Sequence, residues 1–189
     1  MVWGCRQDSL RRGSGPKRIR CGGNRLGFKG VLGGTMQEFS YSDAGLALTK
    51  NFEGLRLESY QDVGGVWTVG YGHTGADVLA GMTISQADAE ALLRADLAAA
   101  VACVNRGVTE EISQAQFDAL VDFCFNVGRA NLLKSSLLRY VNLGEFESAA
   151  AQFLLWVNAG GKRVEGLVCR RQAERAMFLG ETAPGTVAG

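Results

Sequence analysis

The sequence predicts an α+β fold: one short helix, then a small β-hairpin or sheet lobe, then a larger helical lobe, with a cleft between the two lobes. Two observations predict it. Residues 55–72, "LRLESYQDVGGVWTVGYG", combine aromatic and β-branched residues with an Asp-x-Gly-Gly turn and alternation through Trp67, Val69 and Tyr71, which is hairpin chemistry. Beyond them the chain carries helical periodicity and helix-start signals.

The first helix lies in "SYSDAGLALTKNFEG". Ser42 is a good N-cap, Ala44, Leu48, Phe52 and Leu55 form one apolar stripe, and Gly54 supplies a left-handed end. After the hairpin, Thr83-x-x-Gln86 and Ser85-x-x-Asp88 resemble capping boxes that open an alanine-rich helix to about Val104. Ser113-x-x-Gln116 opens another, with Phe117, Leu120, Val121, Cys124 and Phe125 on one face. Further helices are predicted over Ser135–Leu143, ending at Gly144, over Glu145–Val157, stopping at "NAGG", and over Val164–Leu179, ending at Gly180; the tail "ETAPGTVAG" reads as loose. Two unequal lobes joined by a long helix suit an extended polymer.

The 189 residues are enough for one medium domain with a sizeable core. No apolar run approaches the roughly 18 residues of a membrane-spanning helix. The net charge of +1 hides an asymmetry. Residues 1–35 hold eight Lys/Arg and one acid, which leaves twelve bases against eighteen acids in residues 36–189. The expectation is a basic, disordered leader over 1–35 and a single acidic domain over 36–189. The leader lacks the apolar region of a secretory signal. It reads as an upstream segment before a true start at Met36, a basic arm for anionic polymers, or a targeting peptide.

Cys103, Cys124 and Cys169 are far apart, sit in apolar helical patterns and form no Cys-x-x-Cys, so buried free thiols are expected. With one histidine and no cysteine pairs, neither a metal site nor a cofactor is expected.

The chemistry concentrates in "NFEGLRLESYQDVGGVWTVGYGH" (residues 51–73). Glu53 ends the first helix, where the negative end of the dipole disfavours a carboxylate. Burial would act in the same direction, toward the raised pKa that a general acid needs. Asp62 opens the turn and should stay ionised. Two carboxyls in divergent environments are the pattern of an acid and its anionic partner. Thr68, on the return strand, would approach the Asp62 side of the hairpin and hold a water with it. Taken singly, each residue reads more simply as a helix-end charge, a turn former and a strand threonine. Trp67, Tyr71 and Trp156 read as core.

Glu53-x8-Asp62-x5-Thr68, running into "TVGYGH", resembles the signature of the phage-type lysozymes, glycoside hydrolase family 24, as found in lambdoid and T-even phages. "NFEGLRLESYQD" and "GMTISQADAEALLRADL" match its context, and "FDALVDFCFNVG", "LLKSSLLRYVN" and "WVNAGGKRVEGLVCRRQAERAMFLG" resemble its helical lobe. The likeness covers about residues 40–180. It implies a lysozyme-like fold and a muramidase that cuts the β-1,4 bond between N-acetylmuramic acid and N-acetylglucosamine of peptidoglycan. Glu53 would protonate the glycosidic oxygen, while Asp62 and Thr68 position a water for inversion. His73 would serve the fold by pairing with a carboxylate; Asp77 and Asp88 are near in sequence. Asn126, with Phe125, would meet an acetamido group, and one of Arg163, Arg170 and Arg171 would reach Glu53. The likeness further implies an endolysin that lyses the host at phage release. It would be monomeric, would bind neither nucleic acid nor membrane stably, and would accumulate in the host cytoplasm until a holin admits it to the wall in the periplasm.

Overall fold

A computed structural model describes residues 38–181. The predicted leader, Met36, and the tail from residue 182 onward lie outside the described residues. Helix α1 spans Asp43–Glu53. The Ser42 hydroxyl accepts from the Gly45 amide at 3.2 Å and donates to Asp118 at 2.5 Å, so the cap also ties the helix to a distant element. Gly54, at φ 69° and ψ 151°, ends the helix in a conformation that few side chains tolerate.

The apolar stripe expected on α1 is corrected by the packing. The buried face is Gly45, Leu46, Leu48 and Thr49, while Ala44 and Leu55 are exposed. Leu55 lies beyond the helix end. The inner face is partly polar because buried carboxylates await it.

Strands β1 (Arg56–Gln61), β2 (Trp67–Gly70) and β3 (His73–Thr74) form an antiparallel sheet in that order. Thr68 pairs with Tyr60 on one side and Thr74 on the other. The connection of β1 to β2 is a turn closed by the Gly65 amide on the Asp62 carbonyl at 2.9 Å, with Gly65 at φ 75°. A type I turn followed by a left-handed glycine has this form. The outer edge of β1 is also covered: the Ser59 amide donates to the Met82 carbonyl and the Ile84 amide to the Leu57 carbonyl. Gly70, at φ 66°, packs so closely that an added Cβ would lie 3.3 Å from Ala89 of the next helix. The sheet is thereby seated on that helix.

That helix, α2 (Gln86–Gly107), opens with the Ser85/Asp88 capping box, and α3 (Gln114–Val127) opens with the Ser113/Gln116 box, both as predicted. Every residue of α3 from Phe117 to Cys124 is buried. A helix covered all round is the centre of its lobe, and α3 packs against α1, α2 and the last helix. Then follow α4 (Arg129–Lys134), α5 (Ser136–Val141), α6 (Phe146–Phe153) and α7 (Glu165–Leu179). Phe123 meets Phe153 and Trp156 edge-on at 5.3 and 5.4 Å, and Phe153 lies 5.6 Å from Phe178. Tyr71 belongs to this core, and Trp67 and Trp156 pack against it partly buried.

Three further differences from the sequence reading are local. Helix α4 had no cap signal to mark it, since its N-cap, Gly128, makes no side-chain hydrogen bond. The helix predicted over Glu145–Val157 stops at Phe153, and "NAGGKR" is a second hairpin of β4 (Asn158–Ala159) and β5 (Lys162–Arg163). Its two turn residues, Gly160 and Gly161, have φ of 57° and 75°, the pair of positive values a two-residue hairpin turn requires. Cys103 and Cys124 are buried thiols, but Cys169 is exposed. Burial, with Cys103 alongside, pushes the Cys124 thiol up to about 12.

Candidate active site

Glu53 closes α1 with its side chain only 15% exposed. Its Oε1 accepts from Arg170 Nη1 at 2.6 Å. Burial raises its pKa, the Arg170 charge opposes that, and the buried Asp122 carboxylate adds to the rise; the net direction is upward. The position of the arginine decides this balance. Of the three candidate arginines, Arg170 reaches Glu53. Arg171 instead donates to Asn126 Oδ1 at 2.9 Å and Glu174 Oε1 at 2.6 Å, and Arg163 lies exposed on β5.

Behind Glu53 lies a buried ionic cluster that the sequence reading missed. Arg170 Nε and Nη2 both donate to the Asp122 carboxylate, each at 2.9 Å. Thr49 Oγ1 donates to the same carboxylate at 2.7 Å, and the Tyr41 hydroxyl lies 2.7 Å from Thr49. Asp122 and Glu174 are fully buried. Burial alone would drive Asp122 upward, but the Arg170 guanidinium and its hydrogen bonds hold it below the ordinary aspartate range. Glu174 goes the other way: burial keeps its pKa well above the usual glutamate range. Three carboxyls, Glu53, Asp122 and Glu174, face two guanidiniums, Arg170 and Arg171, here. A signal was present: Asp118 and Asp122 stand four apart in the otherwise apolar "FDALVDFCF", and carboxylates on a core helix need partners.

On the hairpin, Asp62 Oδ1 accepts from the Gly64 and Val66 amides at 2.9 and 3.0 Å. Thr68 is nearly buried, and its hydroxyl donates to the Val66 carbonyl at 3.1 Å. Asp62 and Thr68 therefore hold the two polar groups of one residue, Val66, which spaces them at the mouth of the turn. A shallow depression of about 320 Å³ runs along β1, lined by Arg56, Leu57, Glu58, Ser59 and Tyr60, the strand that joins Glu53 to Asp62.

Phe125 and Asn126 lie half-buried near the end of α3. Phe125 packs against the core. The Asn126 carbonyl is taken by Arg171, which orients its amide nitrogen as the group left to donate.

His73 has the carboxylate partner expected of it, but the main partner is Asp96 on α2. Nδ1 lies 2.9 and 3.0 Å from the two Asp96 oxygens, and Nε2 lies 3.2 Å from Asp77. Asp88 is occupied in its capping box. Burial would lower the imidazole pKa, but the two carboxylates outweigh it and the net shift is upward. A raised folded-state value gives stability that is complete below the ordinary imidazole range and lost as pH rises through the folded value. Since both pairs are partly solvated, the contribution should be under about 1 kcal/mol. Thermal melting at pH 5.5 and 8 should show the parent losing this increment on alkalinisation, and His73→Asn showing no such loss.

Among the described residues, no group of three or more His, Cys, Asp or Glu side chains is arranged to hold a metal ion.

A carboxyl whose pKa burial raises, with a second one ordered at a nearby turn, is an arrangement that glycoside hydrolases use. A helical lobe seated on a three-stranded sheet places the chain in the lysozyme-like class of such enzymes. The chain belongs to the phage lysozyme family, whose model matches residues 50–174. It is 43% identical over 141 residues to an endolysin of Acyrthosiphon pisum secondary endosymbiont phage 1, covering 72% of this chain and 96% of that protein. It is 47% identical over 140 residues to an endolysin of Bacillus phage B103, covering 73% of this chain. The chain spans only about half, 53%, of that relative's length. The solved muramidase domain of SpmX from Asticaccaulis excentricus superposes with a TM-score of 0.68 at 41% identity, covering 74% of this chain and 97% of that one.

Proposed function

We propose that this protein is an endolysin that hydrolyses the β-1,4 bond between N-acetylmuramic acid and N-acetylglucosamine in peptidoglycan by a single displacement with inversion. Glu53 gives its proton to the glycosidic oxygen as the bond breaks. The carboxylate left behind is stabilised by Arg170 Nη1, already in place at 2.6 Å. Asp62 faces the positive charge growing at the anomeric carbon and, with Thr68, steadies the water that attacks the opposite side of the sugar, taking the proton that water gives up as its oxygen bonds to carbon. The Asn126 amide donates to an acetamido carbonyl, and Phe125 supports that helix end. The observation that carries this reading is Glu53, a buried carboxyl at a helix end whose pKa is raised despite an arginine beside it.

The enzyme works as a monomer, accumulates in the host cytoplasm, and reaches the wall in the periplasm after a phage holin opens the membrane. No helix among the described residues is long and apolar enough to cross a membrane.

Digestion of purified peptidoglycan decides the chemistry. Mass spectrometry should find muropeptides that have gained one water and end in a reducing sugar, and NMR during the first minutes should find the α-anomer. Anhydro products would mean transglycosylation, and a first-formed β-anomer would mean a covalent intermediate; either result overturns the proposal.

A further inference from the structure

The Arg170 guanidinium is shared unequally. Two of its nitrogens, Nε and Nη2, are on Asp122, and Nη1 is on Glu53. The bidentate pair is also the drier one, since Asp122 is fully buried and Glu53 keeps 15% exposure. Thr49, with Tyr41 behind it, fixes Asp122 from α1, so the aspartate cannot turn away. A fork–fork arginine–carboxylate pair is the stronger of the two geometries.

We infer that Asp122 is a positioning residue of the reaction: by holding two donors of Arg170, it keeps that cation from neutralising Glu53 and leaves Glu53 able to carry the proton it delivers. The inference rests on Glu53 being the acid. Without Asp122, a whole positive charge would lie 2.6 Å from Glu53, which favours the carboxylate and empties the acid of its proton at working pH. With Asp122, the same arginine is largely compensated, yet remains near enough to receive the carboxylate once the proton has left. The Asp122 charge also acts directly, raising the Glu53 pKa.

The other charged groups around the pair are accounted for. From α7, Glu174 Oε1 lies 3.5 Å from Arg170 Nε, farther than the two 2.9 Å contacts to Asp122, and burial raises its pKa, so it is the weaker competitor for that cation. Arg171 is engaged by Glu174 and Asn126. From α1 itself, Lys50 is paired with Glu90 of α2. Asp122, whose pKa the guanidinium holds down against burial, is therefore the counter-charge that sets how much of Arg170 reaches Glu53.

The test is the pH profile of lysis of permeabilised Gram-negative cells. The alkaline limb reports loss of the proton from the acid. In Asp122→Asn the limb should move toward acid by about one pH unit, so that activity on the limb falls about tenfold relative to the optimum. Asp122→Ser, which is smaller and also neutral, should move it the same way. A purely structural role would scale the rate at every pH alike and leave the limb in place, and that result overturns the inference. The native protein gives an answer independent of whether these variants fold. Carboxyl carbon-13 NMR should show Glu53 titrating above the ordinary glutamate range while Asp122 remains ionised. If Glu53 titrates at or below that range, or Asp122 above it, the inference fails. Failure of the acid assignment would show separately, as an active Glu53→Gln variant.

Discussion

Glu53→Gln should reduce peptidoglycan clearing by at least about 100-fold, the lower end of what general acid catalysis supplies. Gln keeps a carbonyl for Arg170 Nη1 and changes the volume little, so the site should stay assembled. Stability should move in the opposite direction from activity. Glu53 has a raised folded-state pKa, so the folded protein holds that proton more tightly than the unfolded chain does. Its contribution to stability consequently falls as pH rises above the ordinary glutamate value. A glutamine there escapes that loss, and the melting temperature at pH 7 should equal or exceed the parent's. Retention of near-parental lysis by this variant, with circular dichroism unchanged, would remove Glu53 as the proton donor.

Arg170→Met should destabilise the fold by about 3–5 kcal/mol at pH 7, the cost of leaving a fully buried carboxylate without its cation. Arg170 is 5% exposed and its partner Asp122 not at all, so water cannot take over the lost contacts. The pH dependence should also invert. In the parent, Asp122 is held below the ordinary aspartate range, so its stabilisation is present above the unfolded value and lost as pH falls through the folded one. In the variant, burial acts unopposed and Asp122 prefers its proton, so the deficit should shrink on acidification from pH 7 to 5. Urea unfolding at both values measures this. Arg170→Met combined with Asp122→Leu should recover most of the loss, since an apolar pair can replace a buried ionic one. A single variant that loses under about 1 kcal/mol would show that the cluster contributes little to holding α1 against α3 and α7.

Much of the architecture was legible because its signals are local. Ser42, Ser85 and Ser113 each cap the helix predicted for them, through hydrogen bonds that span three residues. The Asp-x-Gly-Gly turn and the alternation after it depend only on backbone preferences and side-chain period. The same holds for the candidate carboxyls, which are nine residues apart on either side of one strand. Helix α4 and the "NAGGKR" hairpin were missed where such signals are short. Asp96 was missed as the partner of His73 because it lies 23 residues away on a helix whose pattern gives no reason to single it out.

Local residue patterns set the order of helices and strands, the placement of Glu53 at a helix end and Asp62 at a turn, and the spacing that joins them to Thr68. Their electrostatics come from packing between distant elements. Arg170 is 117 residues from Glu53 along the chain, and Asp122 is 48 from Arg170. Whether Glu53 holds a proton depends on burial and on how one guanidinium is divided between two carboxylates. Those quantities vary steeply with distance in a medium of low polarity, and distances between elements exist only once the helices have packed.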